Sequence, residues 1–261
     1  MKKYTKSTGL VLVLLLTIVS CVSSKGIDYK TKQAQEYQEE IYNKLDHNPW
    51  DQLLKKHVRE NGLVDYKGFK ADLEKLDGYI NILSKNPPTD SWGFEEQLAY
   101  FINVYNANTI KLIVDNYPVE SIKDVNATIS PFLKTFIKIG DKEFSLADIE
   151  KGILQNMEEP RIHFAINCAS ISCPKLMREA YTAENVNKLM DTAAKEFINS
   201  DKNDISENSV KVSEIFKWYK KDFLQDTSSI IDYINQYSDI KINSKVELDY
   251  ISYNWNLNDV E

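Results

Sequence analysis

Between Ser91 and Asn116 the sequence is apolar on more than one side of any helix drawn through it, with Leu98, Phe101, Ile102, Val104, Tyr105, Ile110, Leu112 and Ile113 leaving no broad polar face. Such a helix is stable in water only when other elements cover several of its sides, so the pattern predicts a central helix around which the rest of the chain packs. Asn103 and Asn106 interrupt it. At 100° per residue, Glu96, Asn103 and Asn106 fall within an arc of about 80°, and an amide left unpaired in a core costs about 1–3 kcal/mol. Both amides therefore need partners. Either they pin the backbone of a neighbouring loop, or they line a polar cleft, in which case Asn103 and Asn106 are candidate substrate-binding residues.

The remaining periodicities place shorter elements on either side. Helices are expected over Lys32 to Leu45, from Pro49 to Val58 with proline in the first turn, and from Gly68 to Ser84, where Phe69, Leu73, Leu76, Ile80 and Leu83 form a stripe. Leu63 to Tyr66 reads as a short strand, and Phe136 to Phe144 as a hairpin turning at Gly140-Asp141. Ser145 with Asp148 is a short capping box for a helix from Leu146 to Asn156. Thr182 caps an amphipathic helix through Phe197. Val210 to Val212 is strand-like, Ser213 starts a helix through Phe223, Thr227 or Ser228 starts another through Tyr237, and Val246 to Trp255 reads as an aromatic strand. The class expected is α+β, a single mainly helical domain with a small sheet.

Lys2, Lys3 and Lys6 precede the apolar run Leu10 to Leu16, and Ile18-Val19-Ser20-Cys21 closes it with small residues before a cysteine. Basic start, apolar middle and small residues before cysteine make a bacterial lipoprotein signal, with about a dozen apolar residues too few for a span. The expected organisation is a signal peptide over 1–20, lipidated Cys21 with a polar tether to residue 30, and one domain over 31–261. Cys21 would hold the protein to an outer- or inner-membrane lipid in the cell envelope, facing the periplasm or the surface. Losing three lysines and no acids moves the net charge from -7 to -10, which argues against nucleic acid and against electrostatic docking on anionic lipid.

Chemistry concentrates between Arg161 and Pro174, R-I-H-F-A-I-N-C-A-S-I-S-C-P. Ile162 to Ile166 reads as a short apolar strand delivering a small-residue loop. Cys168 is the candidate nucleophile, with loop amides from Ala169 to Ser172 available to a developing negative charge and Ser172 a candidate substrate contact. His163 is the candidate base. In a regular strand residues 163 and 168 lie about 16 Å apart on opposite faces, so a direct pair requires the chain to turn near Asn167; otherwise His163 meets another element, Glu150 or Asn103. Cys168, His163 and Glu150 form the candidate catalytic set, whereas His47 and His57 read as peripheral and solvated. Cys168 and Cys173, five apart, are a disulfide or two free thiols. Their spacing, with His163, does not match a zinc knuckle and no fourth ligand is evident, so no metal is assigned. No glycine-rich phosphate loop and no G-x-S-x-G occur, and no cofactor is implied.

Four ordered segments, Tyr100 to Ala107, Ser145 to Glu150, Arg161 to Pro174 and Tyr253 to Asn258, resemble a family classed as a domain of unknown function, number 547, found in bacteria and plants. The resemblance implies a mainly helical α+β fold and carries no assured activity. Family members commonly have histidine directly after Asp-Ile-Glu, where this chain has Lys151. Two functions remain open. One is a cysteine-dependent hydrolase or acyltransferase; the other is a non-catalytic envelope module binding a peptide, glycan or small molecule through the cleft and the aromatic tail.

Overall fold

A computed structural model describes residues 22–34, 45–126 and 128–260. The expected signal peptide and the Cys21 acylation site lie outside the described residues, as does most of the helix expected from Lys32 to Leu45, of which a 3-10 turn at Lys32–Ala34 is described.

The central helix forms as its composition requires. Helix α4 (Phe94–Asn116) is buried without interruption from Glu96 to Ile110, because α2 (Tyr66–Ala71), α3 (Leu73–Lys85) and α6 (Val186–Ile198) pack on it from different sides. Helix α1 (Asn48–His57) carries Pro49 in its first turn and buries Trp50, Leu53, Leu54 and His57 against this group. The single helix expected from Gly68 to Ser84 is two. Asp72 separates them, its carboxylate turned toward Lys56, His57 and Lys75 while its backbone closes α2 and opens α3. Leu63 to Tyr66 forms only isolated bridges at Val64, and Tyr66 already belongs to α2.

The hairpin is present as β1 (Ile137–Ile139) and β2 (Lys142–Phe144), antiparallel with Ile137 opposite Phe144. Gly140 takes φ +61° at the turn, where a side chain would be strained. Ser145 and Asp148 cap reciprocally: the Asp148 amide donates to Ser145 Oγ at 3.1 Å, and the Ser145 amide donates to Asp148 Oδ2 at 2.9 Å. The segment that follows is wider than an α-helix. It is a π-helical stretch, Asp148–Ile153, followed by a 3-10 turn, Leu154–Met157.

Ile162 to Ile166 is not a strand. Ile162–Ala165 is a four-residue helix, α5, with all four residues buried. A short apolar run is compatible with either conformation, and here burial on every side, with no strand alongside, selects the helical turn.

C-terminal to α6, β3 (Asp204–Ile205) pairs antiparallel with β4 (Val210–Ser213), which pairs parallel with β5 (Leu248–Ile251). The helix expected from Ser213 to Phe223 is broken at Tyr219 into α7 (Ile215–Trp218) and α8 (Lys220–Phe223). Helix α9 (Ile230–Tyr237) is capped by Ser229, whose Oγ accepts from the Asp232 amide at 3.0 Å. Beyond β5 the chain runs extended across the molecule, bridging Ser170 through Leu257, Ser121 through Asn256 and Val64 through Asp259.

The class is α+β, with 45% of the described residues helical and 10% in strands, so helices and the loops between them, rather than sheets, build the walls of the site. Apolar side chains form two clusters. The larger surrounds α4; the smaller holds Phe164, the C-terminal half of the α6 stripe, β4 and α7 to α9. Helix α5 lies at their seam, giving Ile162 and Ala165 to one and Phe164 to the other. The N-terminal segment expected to be a tether is docked instead: the Ser23 amide donates to Asp148 Oδ1 at 3.2 Å, Lys25 Nζ lies 3.0 Å from Asp148 Oδ2, and the Lys30 amide donates to Gln97 at 2.7 Å. No described helix is long and apolar enough to cross a membrane.

Candidate functional site

The seam between the clusters opens into a cavity of about 550 Å³. Its walls come from five parts of the chain: Tyr105 of α4, Phe132 and Leu133 of the loop before β1, Glu150 and Lys151 of the π-helical stretch, His163, Cys168 and Cys173 around α5, and Trp218, Tyr219, Tyr253 and Trp255 from the C-terminal region.

Cys168 reaches it because the chain turns after α5. Asn106 is the clamp: its Nδ2 donates to the Ala165 carbonyl at 3.0 Å, and its Oδ1 accepts from the Asn167 amide at 2.8 Å. Asn167 extends the clamp, donating to the Pro174 carbonyl at 2.7 Å and accepting from the Ala169 amide at 2.9 Å. Ala169 then takes φ +60°, a left-handed step that a non-glycine residue holds only when its surroundings enforce it. The half-buried Cys168 Sγ sits 3.1 Å from Cys173 Sγ, 3.2 Å from Ser170 Oγ and 3.2 Å from the Tyr253 hydroxyl. Both cysteines are free thiols. The hydrogen bond from Cys173, with those of Ser170 and Tyr253, holds the Cys168 thiol below its ordinary value against the opposing effect of burial and of Glu150. Burial and the neighbouring sulfur push Cys173 well above its own.

His163 is fixed independently. Its ring stacks on Tyr219 with centroids 3.8 Å apart, and Nε2 lies 2.8 Å from Asp222 Oδ2. An Nε2–H donated to that carboxylate leaves Nδ1 as a bare nitrogen, and Nδ1 is buried with no hydrogen-bond partner among the described residues. The partner of His163 is thus Asp222, rather than Glu150 or Asn103. Glu150 is held between two phenols, Oε1 accepting from Tyr219 at 2.6 Å and Oε2 from Tyr105 at 3.4 Å. Burial and the Glu150 charge keep Tyr219 fully protonated, and so a donor.

Several expected residues lie elsewhere. Asn103 uses both ends of its amide on the Tyr181 backbone, donating at 2.7 Å and accepting at 3.2 Å. Ser172 Oγ accepts from the Asn254 amide at 2.8 Å. Neither these two nor Asn106 lines the cavity, so the loop-pinning alternative describes both asparagines. The amides of Cys168, Ala169, Ile171, Ser172 and Cys173 are already engaged within the protein; beside the sulfur lie the hydroxyls of Ser170 and Tyr253, with Ser170 Oγ donating to the Tyr253 oxygen at 3.1 Å. His47 and His57 are not solvated but 4% and 3% exposed, bonded to Tyr79 and Asp72. Asp222, Tyr219, Tyr253 and Ser170 escaped the sequence reading as site members. Only the aromatic spacing of the tail hinted at one of them. Among the described residues no three His, Cys, Asp or Glu side chains converge to hold a metal ion.

Fold and site together define a helix-dominated α+β protein with a paired-thiol cavity lined by a carboxylate-bound histidine. Residues 89–198 match the model of the family DUF547, described as a protein of unknown function; three of the four resembling segments fall inside that match and Tyr253 to Asn258 lies beyond it. No curated protein and no solved structure matches the chain.

Proposed function

We propose that this chain is an envelope lipoprotein held by acylated Cys21, whose cavity acts as a cysteine-dependent hydrolase or acyltransferase. One observation carries the enzymatic reading: a thiol shifted toward its anion and a histidine bound to a carboxylate line the same cavity. Cys168 Sγ attacks the acyl carbon of an ester, thioester or amide. The Tyr253 hydroxyl, which lines the cavity beside the sulfur, donates to the oxygen that gains charge, and Ser170 Oγ supports that hydroxyl from behind. His163 carries the proton to the leaving group and then takes one from the water or acceptor that releases the acyl group, and Asp222 stabilises the imidazolium formed between those events. His163 and Cys168 make no direct hydrogen bond, so the exchange runs through a water or the leaving group itself, as in sites that tighten only around substrate.

A second reading, a binding module for a glycan or peptide, draws on the aromatic lip, where Trp218, 44% exposed, stacks on Trp255 at 5.9 Å and Tyr253 lies 4.6 Å from Trp255. Reduced protein incubated with p-nitrophenyl acetate separates the two. The enzymatic reading predicts nitrophenol release with the acetyl group on the Cys168 peptide, abolished in Cys168→Ala and slowed at least tenfold in Asp222→Asn. Acetylation absent, or unchanged in Cys168→Ala, overturns it in favour of binding.

A further inference from the structure

Two sulfurs lie in contact at the base of the cavity, and their settings differ. Both line the cavity, but Cys168 Sγ is half-buried and met by two hydroxyls, whereas Cys173 is only 6% exposed and accepts the Cys168 amide proton at 2.9 Å. A pair of buried thiols meant only to fill space gains nothing from a backbone donor aimed at one and hydroxyls aimed at the other.

We propose that Cys168 and Cys173 form a reversible dithiol/disulfide couple that exchanges with small disulfide compounds, Cys168, the more exposed of the two, attacking and Cys173 resolving from beside it. The activity goes beyond acyl transfer and stands without it, since it needs the two sulfurs and an entry path but neither His163 nor Asp222.

The cycle balances. Cys168 thiolate attacks one sulfur of R–S–S–R, forming a Cys168–S–S–R bond and expelling RS⁻, which takes a proton from water. Cys173 then loses its proton to the second departing RS⁻ as its sulfur attacks Cys168 Sγ, so that the internal disulfide forms and a second RSH leaves. Two protein thiols are oxidised by two electrons and one disulfide is reduced to two thiols. The direction of each thiol's acidity matches its part: the hydrogen bond from Cys173 makes Cys168 the stronger acid, and burial makes Cys173 the weaker. The supports of the loop are also in place, because Ile171 and Ser172 donate to the Asn256 and Asn254 carbonyls at 2.9 and 3.2 Å and hold the turn between the two sulfurs.

The test uses the full chain, reduced and then equilibrated in buffers of varied oxidised to reduced glutathione ratio, quenched with acid and mapped peptide by peptide so that Cys21 is followed separately. Wild type should lose two hydrogens between Cys168 and Cys173 in a ratio-dependent way, retain no glutathione there, and regain both thiols with dithiothreitol. Cys173→Ser should trap glutathione on Cys168, and Cys168→Ser should take glutathione on Cys173 at least tenfold more slowly. Wild-type protein that keeps a glutathione adduct at Cys168, or stays a dithiol at every ratio, overturns the couple; equal rates in the two serine variants overturn the assigned roles. Because mass is read rather than turnover, failure of acyl transfer leaves this outcome unaffected.

Discussion

His47 is 4% exposed, with Nδ1 accepting from the Tyr79 hydroxyl at 2.7 Å and Nε2 buried without a partner among the described residues. Burial lowers its pKa from 6.5 to about 4. Between those values the unfolded chain binds a proton that the folded chain does not, so the contribution is complete above pH 6.5 and is lost as pH falls toward 4. The shift corresponds to about 3 kcal/mol; urea titrations at pH 7 and pH 4.5 should show that loss in wild type and a shallower one in His47→Gln. Asn103 makes a different contribution. Asn103→Ala orphans both the carbonyl and the amide of Tyr181, and the variant should be less stable by about 1–3 kcal/mol in denaturant. Tyr253 acts on chemistry rather than stability. Removing its hydroxyl takes one of three hydrogen bonds from the Cys168 sulfur, so Tyr253→Phe should raise the apparent pKa of that thiol and slow its alkylation at neutral pH several-fold.

At the scale of elements, the π-helical stretch Asp148–Ile153 connects the N-terminal segment to the cavity. Asp148 binds Ser23 and Lys25, two residues later Glu150 faces the cavity, and Gly152 lies where a Cβ would come within 2.6 Å of the Ser23 backbone. Gly152→Ala must displace one segment or the other and should cost about 1–3 kcal/mol as an overpacked contact, measured by thermal melt. Long or strongly patterned elements were legible in the sequence. Helix α4 was fixed by its all-round apolarity, the hairpin by Gly140, and α6 by its stripe, although its N-cap is Asn185 and the expected cap, Thr182, instead closes the turn before it, its Oγ1 accepting from the Asn185 amide at 3.3 Å. Helix α5 was not legible, because four apolar residues carry no period to separate a helical turn from a strand. The breaks at Asp72 and Tyr219 were hidden for another reason: each follows from a side chain engaging distant residues, His57 and Lys56 in one case and His163 and Glu150 in the other.

Across the whole molecule, the site exists because two apolar clusters meet at α5 and the C-terminal tail crosses over them. That arrangement explains which parts of the site could be read in advance. Cys168, Cys173 and His163 are local in sequence and stand out by residue type, whereas Tyr219, Asp222 and Tyr253 arrive from 51 to 85 residues beyond Cys168, and Tyr105 from α4 well before it. No local pattern encodes such partners. Glu150 was expected to serve His163 and instead binds Tyr219, the ring on which His163 rests, so it acts on the histidine through a neighbour. The central claim is that this convergence makes Cys168 an activated thiol. Its most direct test is the rate of iodoacetamide alkylation at Cys168 in reduced full-length protein, followed by peptide mass mapping from pH 5 to pH 10. The account predicts an apparent pKa below the value of about 8.5 for a free cysteine and a neutral-pH rate above that of free cysteine. A slow thiol titrating at or above that value would contradict it.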